Sequence, residues 1–298
     1  MRVFVTGATG FVGTQVVRQL TANGHQIEGL ARSDTSAAIL EAAGIAVVRG
    51  DLTDLDTLAS AARSADAVIH TGFIHDFSNF AASIAIDRRA VEAMGAALAG
   101  SGRPFIVTSG TGLMPSGQVS NEDTPATTTG HGALRGATEG IALMLVEQNV
   151  RVGIMRLPNS VHGDGDHGFV PMLIATARQK GVAGYVDDGA NCWPAVHVTD
   201  AARAYLLALE HGEAGARHHA VAEQGVPFRD IAHMIGRRLS LPVTSIPREE
   251  AAAHFGWMAN FASLDARASS QLTRERLGWE PSGPELLEDM ENGRYFDD

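Results

Sequence analysis

The stretch RVFVTGATGFVG, residues 2–13, constrains the fold of this chain more than any other part of the sequence. Residues 2–6 are mostly β-branched or aromatic, which is typical of a buried strand. Residues 14–23 then repeat apolar side chains at helical spacing, and Gly24 ends this pattern because glycine tolerates the left-handed conformation that follows many helices. The order of strand, glycine turn and helix directs backbone N–H groups and a helix N-terminus towards a phosphate group.

The three glycines of the turn have separate expected roles. Gly7 permits the tight turn, Gly10 lets a phosphate approach the backbone, and Gly13 allows the helix to pack closely on the strand. The sequence therefore predicts that the chain begins with a dinucleotide-binding unit.

Strand and helix patterns alternate through the first half of the chain. Predicted strands cover residues 26–31, 45–49, 67–70, 105–108 and 151–157, and predicted helices cover residues 35–43, 55–62, 80–99 and 130–149. Apolar strands that alternate with helices form a parallel sheet covered on both faces. The predicted fold class is therefore α/β, with a doubly wound parallel sheet whose ligands bind at the carboxyl ends of the strands.

The pattern changes after residue 165. Glycine, proline and aspartate cluster at residues 162–168 and 187–194, and a further helix is predicted at residues 227–239. We expect residues 1–165 to form the dinucleotide-binding domain, and residues 166–189 and 211–298 to form a smaller C-terminal domain that covers the substrate. The sequence VHV before an apolar helix at residues 195–209 indicates another strand–helix unit, so residues 190–210 are expected to return to the large sheet.

The glycine turn and six further motifs resemble those of the extended short-chain dehydrogenase/reductase superfamily. The turn has the spacing Thr-Gly-x-x-Gly-x-x-Gly, and the other motifs are GDLTD at 50–54, AVIHTG at 67–72, IVTSG at 106–110, RLPNSVHG at 156–163, AVHVTDAARA at 195–204 and LGWEP at 277–281. They follow one another in the order of that family over almost the whole chain. The chain looks like an atypical, epimerase-like or reductase-like branch, and the resemblance implies a Rossmann fold that binds a nicotinamide cofactor.

The end of the second predicted strand favours NADP(H) over NAD(H), and NAD(H) stays possible. An acidic residue there would bind the ribose 2′-OH, whereas Arg32 and Ser33 offer a cation and a hydroxyl to a 2′-phosphate. Asp34 comes one residue later than the usual carboxylate, and the alternative for Arg32 is a solvated surface side chain. Asp51 and Leu52 are expected at the adenine.

The resemblance implies a Tyr-x-x-x-Lys pair on the helix after the fifth strand, but this chain lacks it. The single lysine, Lys180, has Thr176 four residues before it, and His131 and Arg135 stand where the pair is expected. Four residues apart on a helix, these two side chains share one face. We expect Arg135 to bind the ribose hydroxyls, and a neutral His131 to donate a proton or to orient the substrate carbonyl. In the alternative, both are ordinary helix-surface residues and the site is catalytically inactive.

Two hydroxyl residues just past the fifth strand, Ser109 and Thr111, are equal candidates for positioning the substrate carbonyl. For His70 the alternative to a cofactor contact is plain packing at a strand end. The cofactor contacts are expected from Gly7, Thr9, Gly10, Phe11, Val12 and Gly13 at the pyrophosphate, Arg32, Ser33, Asp51 and Leu52 at the adenosine, His70, Thr71, Gly72 and Thr108 in the middle, and Arg135, Leu157, Pro158, Asn159 and Ser160 at the nicotinamide.

Composition restricts the partners. A formal charge of -11 argues against nonspecific binding to nucleic acid or to an anionic membrane, and no apolar run approaches the ~20 residues that a membrane helix needs. The single cysteine, Cys192, excludes an intrachain disulfide, and the pair Asp164 and Asp166 lacks further carboxylates, so no metal is expected. We predict a cytoplasmic protein with a small-molecule substrate and a possible homodimer through the alanine-rich helices at 80–99 and 130–149.

These features predict an NADPH-dependent oxidoreductase that reduces a small carbonyl compound, or a related C=N or activated C=C group, by hydride transfer. Two alternatives stay open. One is an NAD(P)-dependent epimerase or dehydratase, and the other is a catalytically inactive NADP(H)-binding sensor or regulator. The missing Tyr-Lys pair favours the sensor, whereas residues 157–163 and the C-terminal domain favour an enzyme.

Overall fold

The computed structural model describes residues 1–76, 79–129 and 132–297. Its strands are β1 (Arg2–Thr6), β2 (Gln26–Ala31), β3 (Ala46–Arg49), β4 (Ala67–His70), β5 (Pro104–Gly110), β6 (Arg151–Leu157), β7 (Ser160–His162), β8 (Ala183–Val186), β9 (Cys192–His197), β10 (Arg217–His219), β11 (Glu223–Pro227) and β12 (Val243–Ile246). Its helices are α1 (Phe11–Ala22), α2 (Asp34–Ala42), α3 (Leu55–Ser64), α4 (Phe80–Leu98), α5 (Ala133–Met144), α6 (Phe169–Lys180), α7 (Val198–His211), α8 (Phe228–Leu239), α9 (Ala251–Phe255), α10 (Ala259–Ala262), α11 (Gln271–Leu277) and α12 (Leu286–Asn292). Short 3-10 helices occupy Thr111–Leu113, Leu145–Gln148, Arg248–Glu250 and Gly256–Met258.

The large sheet has seven parallel strands in the order β10-β6-β5-β4-β1-β2-β3. The strand β1 pairs with β2 on one side and with β4 on the other, so the strand order reverses at β1. A reversal of this kind opens a crevice at the carboxyl ends of the strands, where ligands bind in such sheets. The predicted α/β, doubly wound parallel fold is confirmed, and β2, β4 and β6 cover the residues predicted for them.

Helices cover both faces of the large sheet. On one face α1 and α7 pack together on the strands, and Val16, Leu20 and Leu209 join β1 residues in one core. On the other face α3, α4 and α5 bury a second core that contains Leu58 and Met94. The apolar residues of β1 alternate between these cores, since a strand directs successive side chains to opposite faces.

The prediction that the strand near residue 195 belongs to the large sheet is wrong. The strand β9 pairs with β7 in parallel and with β11 in antiparallel fashion, and these three form a separate sheet. Only the following helix, α7, returns to the large sheet, where its buried Ala201, Ala204 and Ala208 allow a close approach. The seventh strand is β10, whose sequence RHH carries no apolar pattern that could have predicted it.

A third apolar core lies in the C-terminal half of the chain. It is formed by α6, α8, β8 and β12, with Trp193 and Phe228 among its most buried side chains. Because this core is separate from the two cores of the large sheet, it supports the predicted smaller domain. The exact division of the chain into domains stays a prediction.

Candidate active site

The glycine turn after β1 lines the crevice between β1 and β4. Gly7 has a φ of +69°, which favours glycine, and a Cβ atom there would lie 2.7 Å from the backbone nitrogen of Gly72. A Cβ atom at Gly13 would lie 2.0 Å from the carbonyl oxygen of Gly7, so α1 packs directly against the turn. The structure therefore gives Gly7 and Gly13 the geometry that was predicted for them.

The N-terminus of α1 is open beside this turn. Gly10 is exposed, Thr9, Phe11 and Val12 are half-buried, and the residue that precedes the helix makes no side-chain cap. Uncapped N–H groups at a helix N-terminus carry partial positive charge and attract an anion. This end of the crevice suits a pyrophosphate.

Thr6, His70 and Asp87 form a buried hydrogen-bond network beneath the turn. The Thr6 hydroxyl lies 2.7 Å from Nδ1 of His70 and accepts the N–H of Gly72 at 3.1 Å, and Nε2 of His70 lies 3.1 Å from the carboxylate of Asp87. A proton on Nε2 lets the ring donate to Asp87 while Nδ1 accepts from the Thr6 hydroxyl, so each group has a partner. Both ring nitrogens of His70 are thus engaged within the protein, which favours the packing alternative for its side chain. Asp87, on α4, was not predicted from the sequence.

Three further residues, Thr71, Thr108 and Tyr205, complete the middle of the crevice. The Thr71 hydroxyl donates to the Thr6 carbonyl at 2.7 Å, and the Thr108 hydroxyl donates to the His70 carbonyl at 2.7 Å. The Thr108 oxygen also lies 2.7 Å from the buried phenol of Tyr205. Burial raises the pKa of Tyr205, although the hydrogen bond with Thr108 opposes this shift, so the phenol stays protonated. Tyr205 therefore holds the strand ends in place.

The end of the crevice at β2 and β3, where the adenosine is expected, carries two arginines. Arg32 is exposed after β2, and Arg49, at the end of β3, donates to the Ser33 carbonyl at 2.8 Å and pairs with the carboxylate of Asp34. The side chain of Ser33 caps α2. Asp34 is thus paired with a cation of the protein.

Asp51 turns towards its own loop. Its Oδ1 accepts the N–H and the hydroxyl of Thr53, and these hydrogen bonds, aided by the charge of Arg32, hold the pKa of Asp51 below its usual range. Leu52 is buried, with a methyl group 3.3 Å from the position of a Cβ atom at Gly72. Both residues therefore lie beside the crevice in which adenine is expected.

Ser109 and Thr111, the two candidate hydroxyls, occupy different surroundings. Ser109 is buried and donates to Glu139 at 3.0 Å, and the same carboxylate accepts from Arg156 and Arg217. Burial opposes the ionisation of Glu139, but Arg156 and the other donors outweigh it and hold its pKa below the usual range. Ser109 is therefore part of a buried ionic cluster that joins β5, α5, β6 and β10.

Thr111 lies where β5 passes into a 3-10 helix, and only 1% of its surface is exposed. Its Oγ1 has no hydrogen-bond partner among the described residues. The Oδ1 atom of Asn159, just after β6, is also buried without a partner in the described part of the chain, and it lies 3.6 Å from the position of a Cβ atom at Gly112. The Oγ of Ser160, next along the chain, is a third such atom. Three unpaired polar atoms therefore follow the ends of β5 and β6.

Arg135 lies on α5 near these strand ends. Its guanidinium stacks 3.9 Å from the ring centre of Phe73, in the segment after β4. Burial lowers the pKa of Arg135, which the negative charge of Asp87 opposes, and an arginine so placed stays charged. His131 lies outside the described residues, so the predicted His131–Arg135 pairing on one helix face stays a prediction. The described helix begins at Ala133 rather than at residue 130.

The loop at 163–168 contacts the glycine turn and is tied to the C-terminal segment. The phenol of Tyr295 accepts the N–H of Gly163 at 3.0 Å and donates to Asp166 at 2.9 Å, and Nδ1 of His162 lies 2.8 Å from Asp289. Burial raises the pKa of Asp166. In this loop the ring of His167 contacts Phe11 of the glycine turn edge-on, with ring centres 6.0 Å apart. This loop therefore links the C-terminal segment to the glycine turn.

Neither a cluster of metal ligands nor a membrane-crossing helix occurs in the described part of the chain. Within residues 1–76, 79–129 and 132–297, no three His, Cys, Asp or Glu side chains group closely enough to hold a metal ion. No helix in the same ranges combines the length and apolar character that crossing a bilayer requires.

The family model for the NAD dependent epimerase/dehydratase family matches residues 3–222, which include the glycine turn, the large sheet and the strand ends described above. The chain belongs to this family. The family is one of nicotinamide-dependent enzymes, and the predicted superfamily is confirmed. The family and the reductases among the relatives of this chain indicate that the protein is an enzyme of the oxidoreductase type.

The chain is similar to proteins at three levels of sequence identity. The chain is 48% identical over 301 residues to an uncharacterized protein of Schizosaccharomyces pombe, covering 99% of this chain and 100% of that protein. It is 28% identical over 273 residues to 2-alkyl-3-oxoalkanoate reductase of Stenotrophomonas maltophilia, covering 86% and 79% of the two chains. Among solved structures, the chain is similar to a dTDP-glucose 4,6-dehydratase double mutant from Streptomyces venezuelae with NAD and DAU bound. The TM-score is 0.80 at 20% identity, and the superposition covers 99% of this chain and 97% of that chain. This last similarity shows the fold alone.

Proposed function

We propose that this protein is an NADPH-dependent reductase of a small carbonyl compound, or of a related C=N or activated C=C group. The observation that carries the proposal is the set of buried, unpaired polar atoms after β5 and β6, above all Oγ1 of Thr111 and Oδ1 of Asn159. Buried polar groups are nearly always hydrogen-bonded, so atoms left unpaired by the described protein suit groups of a ligand. A cofactor carboxamide and a substrate carbonyl have the required donors and acceptors.

The residues present fit a nicotinamide dinucleotide. The glycine turn and the N-terminus of α1 would hold the pyrophosphate, Arg135 the nicotinamide ribose, and Asn159 with Pro158 the carboxamide. When bound, NADPH supplies a hydride to the acceptor. Arg32 and Arg49 both support a site for the 2′-phosphate. Arg49 already pairs with Asp34, so the exposed Arg32 is the nearby cation that a phosphate group would meet.

The protein's own part in the reduction is to orient the acceptor and to stabilise the negative charge that develops on the acceptor's oxygen. We assign the positioning hydroxyl to Thr111, because the hydroxyl of Ser109 already donates to Glu139. The Thr111 O–H would donate to the substrate carbonyl and stabilise the alkoxide as it forms. The proton that completes the reduction would come from His131, either directly or through water.

Two other functions remain candidates. The family description favours an epimerase or a dehydratase, and the S. venezuelae enzyme is a dehydratase by name. The absence of the Tyr-Lys pair from the sequence favours a sensor that binds NADP(H) without turnover. A homodimer through α4 and α5 also stays a prediction, since these helices pack against each other within one chain.

The first experiment measures NADPH depletion with a panel of ketones, aldehydes, imines and enones, alongside a titration of NADPH binding. We expect turnover with at least one acceptor. Tight binding of NADPH without turnover of any acceptor would contradict the reductase and support the sensor. Conversion of a sugar nucleotide without net NADPH consumption would support the epimerase or dehydratase instead.

A matched pair of variants tests the assignment of the hydroxyl. Thr111→Val removes the proposed donor while keeping the shape of the side chain, and we expect kcat to fall about 10²-fold, as when one oxyanion donor is lost. Ser109→Ala removes a hydrogen bond to a buried carboxylate, so we expect a lower unfolding free energy, by about 1–3 kcal/mol, and a nearly unchanged kcat. Steady-state kinetics and denaturant unfolding of both variants check this. The opposite pattern would return the role to Ser109.

A further inference from the structure

Phe73 follows directly on the backbone that touches the glycine turn. The residue before it, Gly72, donates its N–H to the Thr6 hydroxyl at 3.1 Å. The same nitrogen would lie 2.7 Å from a Cβ atom at Gly7. Phe73 is therefore placed at the crevice by the contacts that hold the end of β4 beside the glycine turn.

Two neighbouring rings meet the ring of Phe73 at steep angles. The ring centre of His75 lies 5.1 Å away with an angle of 71° between the planes, and that of Phe80, at the start of α4, lies 5.9 Å away with an angle of 64°. Edge-to-face contacts of this kind are favourable. They join Phe73 to its own segment and to α4, so the protein sets the plane of this ring.

The guanidinium of Arg135, from α5, lies over the ring of Phe73. The Cζ atom of Arg135 is 3.9 Å from the ring centre, and a cation within ~6 Å of an aromatic face is attracted by the ring electrons. Guanidinium groups stack on aromatic rings by their flat face, whereas their N–H donors lie in the guanidinium plane. The contact with Phe73 therefore orients the donors of Arg135 without using them.

The charge of Arg135 lies close to the ends of β4 and β5. Burial lowers the pKa of Arg135, and Asp87 and Tyr205 oppose this shift, so both groups are within electrostatic reach of the guanidinium. Asp87 is bonded to His70 of β4, and the Tyr205 phenol to Thr108 of β5. These strand ends line the middle of the crevice, next to the position expected for the nicotinamide ribose.

We propose that Phe73 is a positioning residue, whose ring holds Arg135 for hydrogen bonding to the nicotinamide ribose. The lysine that the family resemblance implies at position 135 would carry a compact ammonium whose donors rotate freely. An arginine there carries a rigid, flat fork of donors, so its plane must be set before it can meet two neighbouring hydroxyls. This inference rests on the proposed cofactor site, in which Arg135 binds the ribose, and not on the reduction that would follow.

The binding test compares NADPH with 2′,5′-ADP, a fragment that lacks the nicotinamide ribose. Phe73→Leu and Phe73→Met remove the aromatic face and keep an apolar side chain, and we expect the dissociation constant of NADPH to rise about fivefold in both. That of 2′,5′-ADP should not change, because the fragment does not reach Arg135. Phe73→Tyr keeps the aromatic face and should bind NADPH as the wild type does.

A double-mutant cycle separates positioning from general packing. In Arg135→Ala no guanidinium is left to hold, so adding Phe73→Leu should not weaken NADPH binding further. Phe105→Leu, at a fully buried ring of β5, is the control for packing and should lower stability without altering the ratio of the two dissociation constants. Equal losses of both ligands in Phe73→Leu, no loss of either, or an undiminished loss of NADPH in the Arg135→Ala background would overturn the inference.

Because the readout is binding, its outcome is distinct from that of the proposed reaction. If NADPH binding depends on Phe73 but no acceptor is reduced, the reductase fails and the positioning role stands. If the wild type reduces an acceptor and Phe73→Leu binds NADPH equally well, the positioning role fails and the reductase stands. Should the wild type bind NADH instead of NADPH, NADH and 5′-AMP form the matching pair, and binding of neither dinucleotide would overturn both proposals.

Discussion

At the scale of single residues, the site is defined by which polar groups the protein has already paired. From the sequence, Ser109 and Thr111 are equal candidates for positioning the substrate carbonyl. In the structure the Ser109 hydroxyl donates to Glu139, whereas the Thr111 hydroxyl has no hydrogen-bond partner among the described residues. His70 is engaged at both ring nitrogens, by Thr6 and Asp87. The same holds for the charges after β2 and β3, where Arg49 pairs with Asp34 and Arg32 is exposed.

Arg32 is the residue on which the cofactor preference depends. Replacing it by Glu places a negative charge near the proposed 2′-phosphate, and we expect the dissociation constant of NADPH to rise at least tenfold more than that of NADH. Fluorescence titrations with both cofactors measure the difference. Replacement of Arg18, on the exposed surface of α1, by Glu is the control for net charge and should not discriminate between the cofactors. An equal loss for both cofactors in Arg32→Glu would remove the 2′-phosphate assignment.

At the scale of elements, the approach of α1 to the end of β1 decides whether a pyrophosphate can reach the helix N-terminus. Gly13 has no side chain, so α1 lies directly against the glycine turn. On the other side of the turn lies the hydrogen-bond network of Thr6, His70 and Asp87. The glycine turn is therefore held between α1 and this hydrogen-bond network.

A pair of glycine variants tests this packing. Gly13→Ala would place its Cβ atom 2.0 Å from the Gly7 oxygen, so α1 must shift, and we expect NADPH affinity to fall at least tenfold together with a loss of stability. Gly140→Ala, in α5, meets no atom within 4 Å, and we expect it to raise the unfolding free energy by about 1 kcal/mol, the helix propensity difference. Cofactor titration and chemical unfolding of both variants check this. Wild-type cofactor affinity in Gly13→Ala would show that the close contact is unimportant.

At the scale of the whole molecule, the buried His219 joins the edge of the large sheet to the C-terminal chain, and the buried His218 precedes it in β10. Nε2 of His219 lies 3.2 Å from Nη1 of Arg156, and its Nδ1 lies 2.7 Å from the Ser269 carbonyl, which together fix a neutral imidazole. Burial, with Arg156, lowers the pKa of His219 to about 4, and burial, with Arg276, does the same for His218. Both ring nitrogens of His218 lack partners within the described residues.

These histidines make the fold sensitive to acid. Below the ordinary imidazole pKa of 6.5 the unfolded chain binds protons that the folded chain does not, so we expect the free energy of unfolding to fall between pH 6.5 and about 4. Each imidazole contributes on the order of 3 kcal/mol over that range. Unfolding of the wild type and of His218→Leu at several pH values measures this, and the variant should show a shallower decline. Identical slopes in both proteins would exclude His218 as a source of the acid sensitivity.

The sequence by itself determined the parts of this protein that depend on local order along the chain. Strand and helix periodicity, and the spacing of Gly7, Gly10 and Gly13, predict the large sheet, its cofactor edge and the family, because these patterns reflect backbone geometry and the burial of one strand after another. The predicted bounds of β2, β4 and β6 agree with the structure for that reason.

Only the tertiary structure decided which distant residues meet. Asp87 reaches His70 from α4, Glu139 takes the hydroxyl of Ser109, and the short strand β10 joins the large sheet while β9 leaves it. No periodicity marks such contacts, since each joins segments far apart in the chain and is selected by packing and by the need to pair buried polar groups. The ring contacts of Phe169 with Trp193 and Phe261 likewise join separate segments of the chain, which meet only when the chain folds.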